Sequence, residues 1–288
     1  MSGAAVVPQA PAVARRGRSN LRTIFPIAVP AAVITLIVLA ALLAPLITPY
    51  DPDATDLSGS LAGISGEHPL GQDALGRDVL SRLLYGARVS LAGPAIVVLV
   101  STLVGVPLGL LAGYRGGVVD AVLSRTWDVV FAFPSLLLAI VVVATFGANF
   151  LVATLAISVI FTPIMARVVR GVVIGERRRT YVDAYRVLGF RHAGIAVRHV
   201  LPNVLPTVVA QATVHFGYAL LDLAGLAFLG LGVQPPTPEW GSMLAQGREN
   251  LRTSPVEVIA AGLAIAITII AFNLLGDALM ERARRRTR

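Results

Sequence analysis

The sequence predicts an all-α integral membrane protein with six transmembrane helices and both termini in the cytoplasm. Three observations predict it. Of the 288 residues, 56% are hydrophobic and only 14% are charged, whereas soluble domains carry about 25% charged residues. Several uncharged runs reach the roughly 20 residues that a helix needs to cross a bilayer. Finally, the arginines are concentrated in alternate connecting segments, as expected for loops on the cytoplasmic side.

The apolar runs locate the six spans. The first, 24–47, exceeds the roughly 7–15 apolar residues of a cleavable signal peptide and so predicts a retained anchor. Residues 129–166 carry no charge but are too many for one span. The turn-forming residues Gly147-Ala148-Asn149 therefore predict a division into the third and fourth spans. The remaining spans are predicted at 89–113, 204–231 and 256–277.

Arginine counts give the orientation. The segment 167–200 contains eight arginines and the tail after Asp277 contains five, whereas the segment 48–88 contains three. We therefore place the first two in the cytoplasm and the third outside. Because this asymmetry accounts for most of the net charge of +8, nucleic acid is not needed as a partner to explain it.

The spans imply three parts of the chain. Residues 1–23 form a basic cytoplasmic tail whose composition predicts disorder. Residues 24–88 hold the first span and an external segment. Residues 89–288 form a core of five spans, with a cytoplasmic loop at 176–202 and a second external segment at 233–255.

Composition also excludes several kinds of site. The chain has no cysteine, so it has neither disulfides nor thiolate metal ligands. All 24 basic residues are arginine, and a phosphate-binding P-loop requires lysine. No hydrolase signature is present. We therefore expect no catalytic residues, and any nucleotide energy must come from another chain.

A short polar helix interrupts the apolar runs within the cytoplasmic loop. Thr180 and Asp183 have the spacing of an N-terminal capping box, and Gly189 is the residue type that commonly ends a helix. Tyr181, Ala184, Tyr185 and Leu188 share one face at helical spacing. Two accounts fit this face, which an arginine rim surrounds: a helix lying on the membrane surface or a docking site for another protein.

This stretch resembles the cytoplasmic "EAA" loop of ABC-importer permeases, E-A-A-x3-G-x9-I-x-L-P. Asp183-Ala184-Tyr185 stands at E-A-A, Gly189 at the glycine and Leu201-Pro202 at L-P, while His199 replaces the usual isoleucine. Two further stretches, "HPLGQDALGRDVLSRLLYGARVSL" at 68–91 and "FLGLGVQPPTPEWG" at 228–241, resemble C-type permeases of the dipeptide/oligopeptide/nickel family. Together these stretches relate most of residues 68–288 to that family.

The resemblance implies a type I ABC importer permease core with an extra N-terminal span, in the bacterial inner membrane. It implies a homologous second permease subunit, two ABC ATPase subunits that bind ATP and Mg²⁺, an external solute-binding protein and a peptide-like cargo. No cofactor is expected in this chain itself. The residues implied to couple the ATPases to transport are Thr180, Tyr181, Asp183, Ala184, Tyr185, Arg186, Leu188, Gly189, Leu201 and Pro202.

Three polar residues within the predicted spans are candidates for the transport pathway or its gate. Asp222 is a carboxylate inside the fifth span, which by default indicates function. His215 in the same span and Asn273 in the sixth are the other two. For each, a packing residue that hydrogen-bonds between helices is the alternative.

Small residues recur every fourth position in the second span, at Ser101, Gly105, Gly109 and Gly113, and allow close helix packing. We favour packing within this chain over a subunit interface. In the external segment, His68, Asp73 and Asp78 are ligand types for a metal, but neighbouring glycines indicate turns, and we predict no metal site.

The sequence therefore predicts a permease subunit of an ATP-driven importer, most simply for di- or oligopeptides. An importer for nickel or another small solute is one alternative. A second is an ion-gradient transporter in which Asp222 and His215 relay protons, and a third is a membrane scaffold without transport activity.

Overall fold

A computed structural model describes residues 21–286, which form helices and no strand. This confirms the all-α prediction. Residues 1–20, most of the predicted basic tail, lie outside the described part, as do residues 287 and 288. The helices are α1 Leu21–Leu42, α2 Ala44–Ile47, α3 Val79–Arg115, α4 Gly117–Phe131, α5 Ser135–Phe146, α6 Phe150–Glu176, α7 Thr180–Val187, α8 His192–Ile195, α9 Leu201–Phe228, α10 Trp240–Gly247 and α11 Val256–Arg286.

Five stretches of helix within residues 21–286 are long and apolar enough to cross a membrane. They comprise α1, α3, α6, α9 together with α8, and α11. The π-helical segment Ala196–Val200 joins α8 to α9 without a break. These stretches correspond to predicted spans one, two, four, five and six. The helix that contains the second span begins at Val79, ten residues before the start predicted for the span.

The third predicted span is not one straight helix. The residues predicted for it, 129–146, include only the last turn of α4 and all of α5, and these two helices meet at a bend of 80°. Pro134 lies at the bend and precedes the first residue of α5. A proline disfavours α geometry in the residue before it, so a helix usually stops there. The charge-free run predicted a straight span after residue 129, because composition carries no information about this change of direction; the charged part of α4 precedes that run.

The predicted turn before the fourth span is confirmed. Gly147 adopts a left-handed backbone, with φ of 96°, and Asn149 is the N-cap of α6. The Asn149 side chain accepts a hydrogen bond from the Val152 amide at 2.9 Å. This satisfies one of the amide donors left free at a helix start.

The small residues of α3 pack against α6 of the same chain. A Cβ added to Gly105 would lie 2.7 Å from the Thr162 carbonyl oxygen, and one added to Gly113 would lie 2.8 Å from the Arg170 carbonyl oxygen. Because the contacts advance along both helices together, α3 and α6 run parallel at backbone contact. The ridge therefore packs within the chain, as favoured from the sequence.

On the external side, the short helix α10 is fixed to α3. Buried Glu239 caps α10 by accepting hydrogen bonds from the amides of Gly241 and Ser242 at 2.9 and 2.8 Å. Burial raises the pKa of Glu239, while these donors and Ser90 on α3 oppose that rise. The Trp240 indole N–H donates to the Leu83 carbonyl at 2.9 Å. The loop after α9 is thus tied to the outer end of α3.

Candidate functional site

The short helix α7 lies against the cytoplasmic ends of three long helices. Its Val182 is fully buried in an apolar cluster with side chains of α3, α6 and α9 and of the segment before α9. The other buried members are Val106, Leu110, Tyr114, Met165, Val169, Val173, Ile195, Ala196, Val200, Val204 and Val208. A helix of eight residues is marginal in isolation, so this burial holds α7 in place.

The start of α7 differs from the predicted capping box. Arg179 is the N-cap, and no side chain caps the helix there. Thr180 is already the first helical residue, a position from which its hydroxyl does not act as the N-cap acceptor. The Asp183 carboxylate instead accepts from the Arg186 guanidinium at 2.9 Å. The capping prediction for Thr180 and Asp183 was therefore wrong by one residue.

The predicted end of α7 at Gly189 is confirmed. Gly189 has φ of 78°, a left-handed conformation that costs glycine little. Its amide donates to the Arg186 carbonyl at 3.0 Å, and the Phe190 amide donates to the Tyr185 carbonyl at 3.1 Å. This pair of hydrogen bonds is a Schellman motif. The Phe190 and Tyr185 rings meet edge to face, 5.2 Å apart.

A buried carboxylate ties α7 to both neighbouring long helices. Glu176, at the end of α6, accepts hydrogen bonds at 2.9 Å from the Tyr181 hydroxyl and from the Asn203 amide of α9. Arg179 pairs with its second oxygen, also at 2.9 Å. Burial and the bond to Glu176 raise the pKa of Tyr181, so the hydroxyl stays protonated as a donor. We call Glu176, Tyr181 and Asn203 the anchor triad.

Two departures from the EAA pattern occur together in space. The Tyr185 ring stacks on the His199 ring with centroids 3.9 Å apart and planes 18° apart. His199 precedes α9, so this contact joins α7 to the start of that helix. The bulky tyrosine in place of alanine and the histidine in place of isoleucine thus form one contact.

The remaining face of α7 is exposed to solvent. Val187 is 88% exposed, Leu188 is 70% exposed and Phe190 is 51% exposed, and Ala184 is also exposed. The predicted face is thereby divided, because Tyr181 and Tyr185 lie on the inner side, half-buried, while Ala184 and Leu188 lie on the outer side. We call Ala184, Val187, Leu188 and Phe190 the outer face.

The other predicted coupling residues lie at the edges of this arrangement. Arg186 is exposed beside Asp183. Leu201 is half-buried and packs on the apolar cluster, and Pro202 is exposed at the start of α9. Sequence reasoning missed Val182, Glu176 and Asn203. A lone glutamate before three arginines, in "GERRRT", is the one signal that indicated Glu176.

The three pathway candidates have different surroundings. His215 is buried edge-on against Phe161 of α6, with ring centroids 5.2 Å apart. Within the described part of the chain, neither of its ring nitrogens has a hydrogen-bond partner. Asn273 lies beside Gly217 of α9, and a Cβ added to Gly217 would be 3.0 Å from Asn273 Oδ1. Asp222 is half-buried in the outer half of α9. Their transport roles remain predictions.

The external residues weighed as metal ligands are engaged elsewhere. Asp73 binds the Arg77 guanidinium at 2.7 Å. Asp78 is the N-cap of α3 and accepts from the Ser81 amide at 2.7 Å and from His68 at 2.9 Å. The carboxylates thus fix the start of α3, and no group of three potential ligands converges within residues 21–286.

Two family models, each describing a component of a membrane transport system, match different stretches of the chain. Residues 105–288 match the family model described as binding-protein-dependent transport system inner membrane component. Residues 29–63 match the N-terminal transmembrane domain of oligopeptide transport permease C.

Curated relatives match over most of their length. The dipeptide transport system permease protein of Alkalihalophilus pseudofirmus is 41% identical over 249 residues, 86% of this chain and 82% of that protein. The glutathione transport system permease protein of Pectobacterium atrosepticum is 41% identical over 257 residues, 88% and 85% of the two chains. The di/tripeptide transport system permease protein of Pseudomonas aeruginosa is 41% identical over 252 residues, 85% and 83%.

Proposed function

The chain belongs to the family of binding-protein-dependent transport system inner membrane components, and from this premise we propose how it works. It is a permease subunit of an ATP-driven ABC importer for di- or oligopeptides, located in the bacterial inner membrane. The cargo crosses by alternating access, driven by separate ATPase subunits. The relatives named for dipeptides, di/tripeptides and glutathione all transport small peptides by their names, which favours a peptide cargo here.

One observation carries the coupling mechanism: α7 has two different faces. Its inner face is fixed to α3, α6 and α9 through Val182 and the anchor triad. Its outer face exposes apolar side chains on the cytoplasmic side. A helix fixed in this way is suited to transmit force from a docked partner to the long helices, because Val182 and the anchor triad connect it to all three of them.

The missing lysine supports a division of labour. Without a P-loop lysine in 288 residues, ATP and Mg²⁺ are bound by the ATPase subunits rather than by this chain. We further propose that a homologous second permease completes the pathway and that an external binding protein delivers the peptide. This chain then carries no catalytic residue and no cofactor.

The test is uptake of a radiolabelled dipeptide into vesicles that contain the assembled transporter. Uptake is expected to require ATP and to persist when an uncoupler collapses the proton gradient. Uptake that follows the gradient without ATP would instead favour the proton-relay alternative through Asp222 and His215. A complex without cargo-stimulated ATP hydrolysis would favour the scaffold alternative.

A backbone variant tests the coupling role of α7 directly. Gly189→Pro is expected to abolish uptake while the protein still inserts, because proline cannot adopt φ of 78° or donate the amide bond to Arg186. Gly194→Ala, in the same loop, is the control, since a Cβ there meets no atom within 4 Å. Normal uptake by the Gly189 variant would contradict the coupling role.

A further inference from the structure

A strongly basic cleft opens on the cytoplasmic side of the protein, between the ends of α3 and α6 and the helices α7 and α8. Its volume is about 720 Å³, within the roughly 300–1,000 Å³ of ligand sites in proteins. We call it the basic cleft. It is lined by Tyr114, Arg115, Arg177, Arg178, Arg186 and His192.

The positive charge of the basic cleft is largely uncompensated. Asp183 is the one carboxylate in its lining, and it pairs with Arg186 at 2.9 Å. Arg177 donates to the uncharged carbonyls of Gly113 and Tyr114, at 3.1 and 3.0 Å. Among the described residues, Arg115 and Arg178 form no ion pair. Arg115 and Arg178 therefore face the cleft without a balancing carboxylate, whereas the charge of Arg177 also acts on Asp120 of α4.

A second observation independent of charge indicates a ligand. Tyr114 is only 8% exposed, and its hydroxyl has no hydrogen-bond partner among residues 21–286. A buried hydroxyl left unpaired costs about 1–3 kcal/mol, so native proteins usually pair such groups with protein atoms or a ligand. Arg186 and His192 approach its ring, at 6.0 and 6.2 Å from the ring centroid.

The preference for arginine in cytoplasmic loops explains why these residues lie on this side of the membrane. It does not explain why they converge on one cavity with an unpaired hydroxyl. We propose that the basic cleft binds a phosphate-bearing anion, with Arg115 and Arg178 supplying charge and Tyr114 donating a hydrogen bond. Basic pockets between helices on the cytoplasmic side are suited to anionic lipid headgroups, and free phosphate offers the same chemistry.

An occupant of the basic cleft would contact both α7 and the ends of α3 and α6. It would therefore lie at the junction through which α7 moves the long helices. The proposal concerns binding alone and does not depend on the transport function, so each can fail without the other.

The experiment measures binding to the purified assembled complex by native mass spectrometry. Phosphatidylglycerol, phosphatidylcholine and pyrophosphate are titrated separately. Arg178→Gln is expected to weaken binding of the anionic probe about fivefold, since one arginine near a lipid surface contributes about 1 kcal/mol. Tyr114→Phe is expected to weaken it about tenfold, as for loss of a hydrogen bond to a charged group.

Arg125→Gln is the matched control, because Arg125 is an exposed arginine on α4, on the same side of the membrane, and does not line the cleft. It should bind as the unaltered complex does. Circular dichroism verifies that each variant is folded. Preferential binding of phosphatidylglycerol over phosphatidylcholine would identify a lipid source, and binding of pyrophosphate alone would identify a soluble one.

Three results would overturn the proposal. The first is equal binding of phosphatidylglycerol and phosphatidylcholine with no binding of pyrophosphate. The second is a Tyr114 or Arg178 variant that is folded and indistinguishable from the Arg125 control. The third is the absence of specific anion binding to the assembled complex, since the docked ATPase subunits would then occupy the cleft.

Discussion

Replacing Val187 by aspartate is expected to detach the permease from its ATPase subunits while leaving the permease folded. Val187 is 88% exposed on the outer face of α7, so the substitution disturbs no contact within residues 21–286 that holds the helix. Leu188 and Phe190 follow it in the chain and are also more than half exposed. If the outer face is where a partner docks, Val187 loses nearly all of its exposure in the complex.

The magnitude follows from that exposure. Burying a whole valine side chain contributes at least about 1.5 kcal/mol. A carboxylate buried in the same place without a partner costs about 1 kcal/mol or more in addition. Together these reach about 2.5 kcal/mol, which weakens association at least about fiftyfold.

The assay is co-purification of the ATPase subunits with tagged permease, followed by cargo-stimulated ATP hydrolysis. Val118→Asp is the matched control, since Val118 is 79% exposed on α4 and receives the same charge on the same side of the membrane. The control should retain its ATPases. Thermal unfolding in detergent should give the same midpoint for both variants.

One result would refute this reasoning. If the Val187 variant copurifies with its ATPases and hydrolyses ATP in response to cargo as fully as the Val118 control, the outer face is not the docking surface. A loss of ATPases from both variants would likewise refute it, because the effect would then follow from added charge and not from position.

Three further predictions concern the contacts inside the chain. Val182→Ala should lower the free energy of unfolding, measured by denaturation in detergent, by about 2 kcal/mol, because burial is lost and a cavity remains. Val187→Ala, at the exposed valine of the same helix, should change this free energy little. Tyr185→Ala and His199→Ile should be non-additive by about 0.5–1.5 kcal/mol in a double-mutant cycle; simple additivity would show that the stack contributes nothing. Gly109→Val should reduce the yield of folded protein in size-exclusion chromatography, because its Cβ would lie 2.8 Å from the Val169 Cβ and overpacking costs about 1–3 kcal/mol or more. Gly171→Val, where an added Cβ meets no atom within 4 Å, is its control, and equal yields would contradict the close packing.

Much of the topology could be predicted because single residue types determine it. Uncharged length identifies a span, and the arginine bias identifies the cytoplasmic side. The end of α7 and the start of α6 show the same dependence on single residue types. Gly189 and Asn149 occupy positions whose backbone geometry or free amides favour those residue types, so their roles follow from sequence alone.

The division of α7 into two faces could not be predicted, because periodicity shows which residues share a face but not what covers that face. Tyr181, Tyr185 and Leu188 are all apolar enough to dock or to pack. The structure assigns the tyrosines inward because Glu176 and His199 provide partners for them there. These partners are 5 and 14 residues away from their respective tyrosines, and no local pattern connects them.

The bend between α4 and α5 is missed for a related reason. Pro134 is compatible with a kink inside a span or with a break between two helices, and the surrounding residues are apolar in either case. What decides the direction of α5 is its packing against α6 through Ala139 and Val143, both fully buried. That contact is tertiary and appears in the sequence only as ordinary apolar composition.

The arrangement of the cytoplasmic end has a mechanical consequence. α3 and α6 touch backbone to backbone along the glycine ridge, and close-packed surfaces of this kind do not slide without opening contacts. Arg177 adds a polar link by donating to the last carbonyls of α3, and Glu176 joins the end of α6 to α7 and α9. A displacement of α7 therefore cannot be absorbed locally, because its anchors lie on helices that are themselves locked together. We therefore expect it to move α3, α6 and the start of α9 together, as the proposed coupling role of α7 requires.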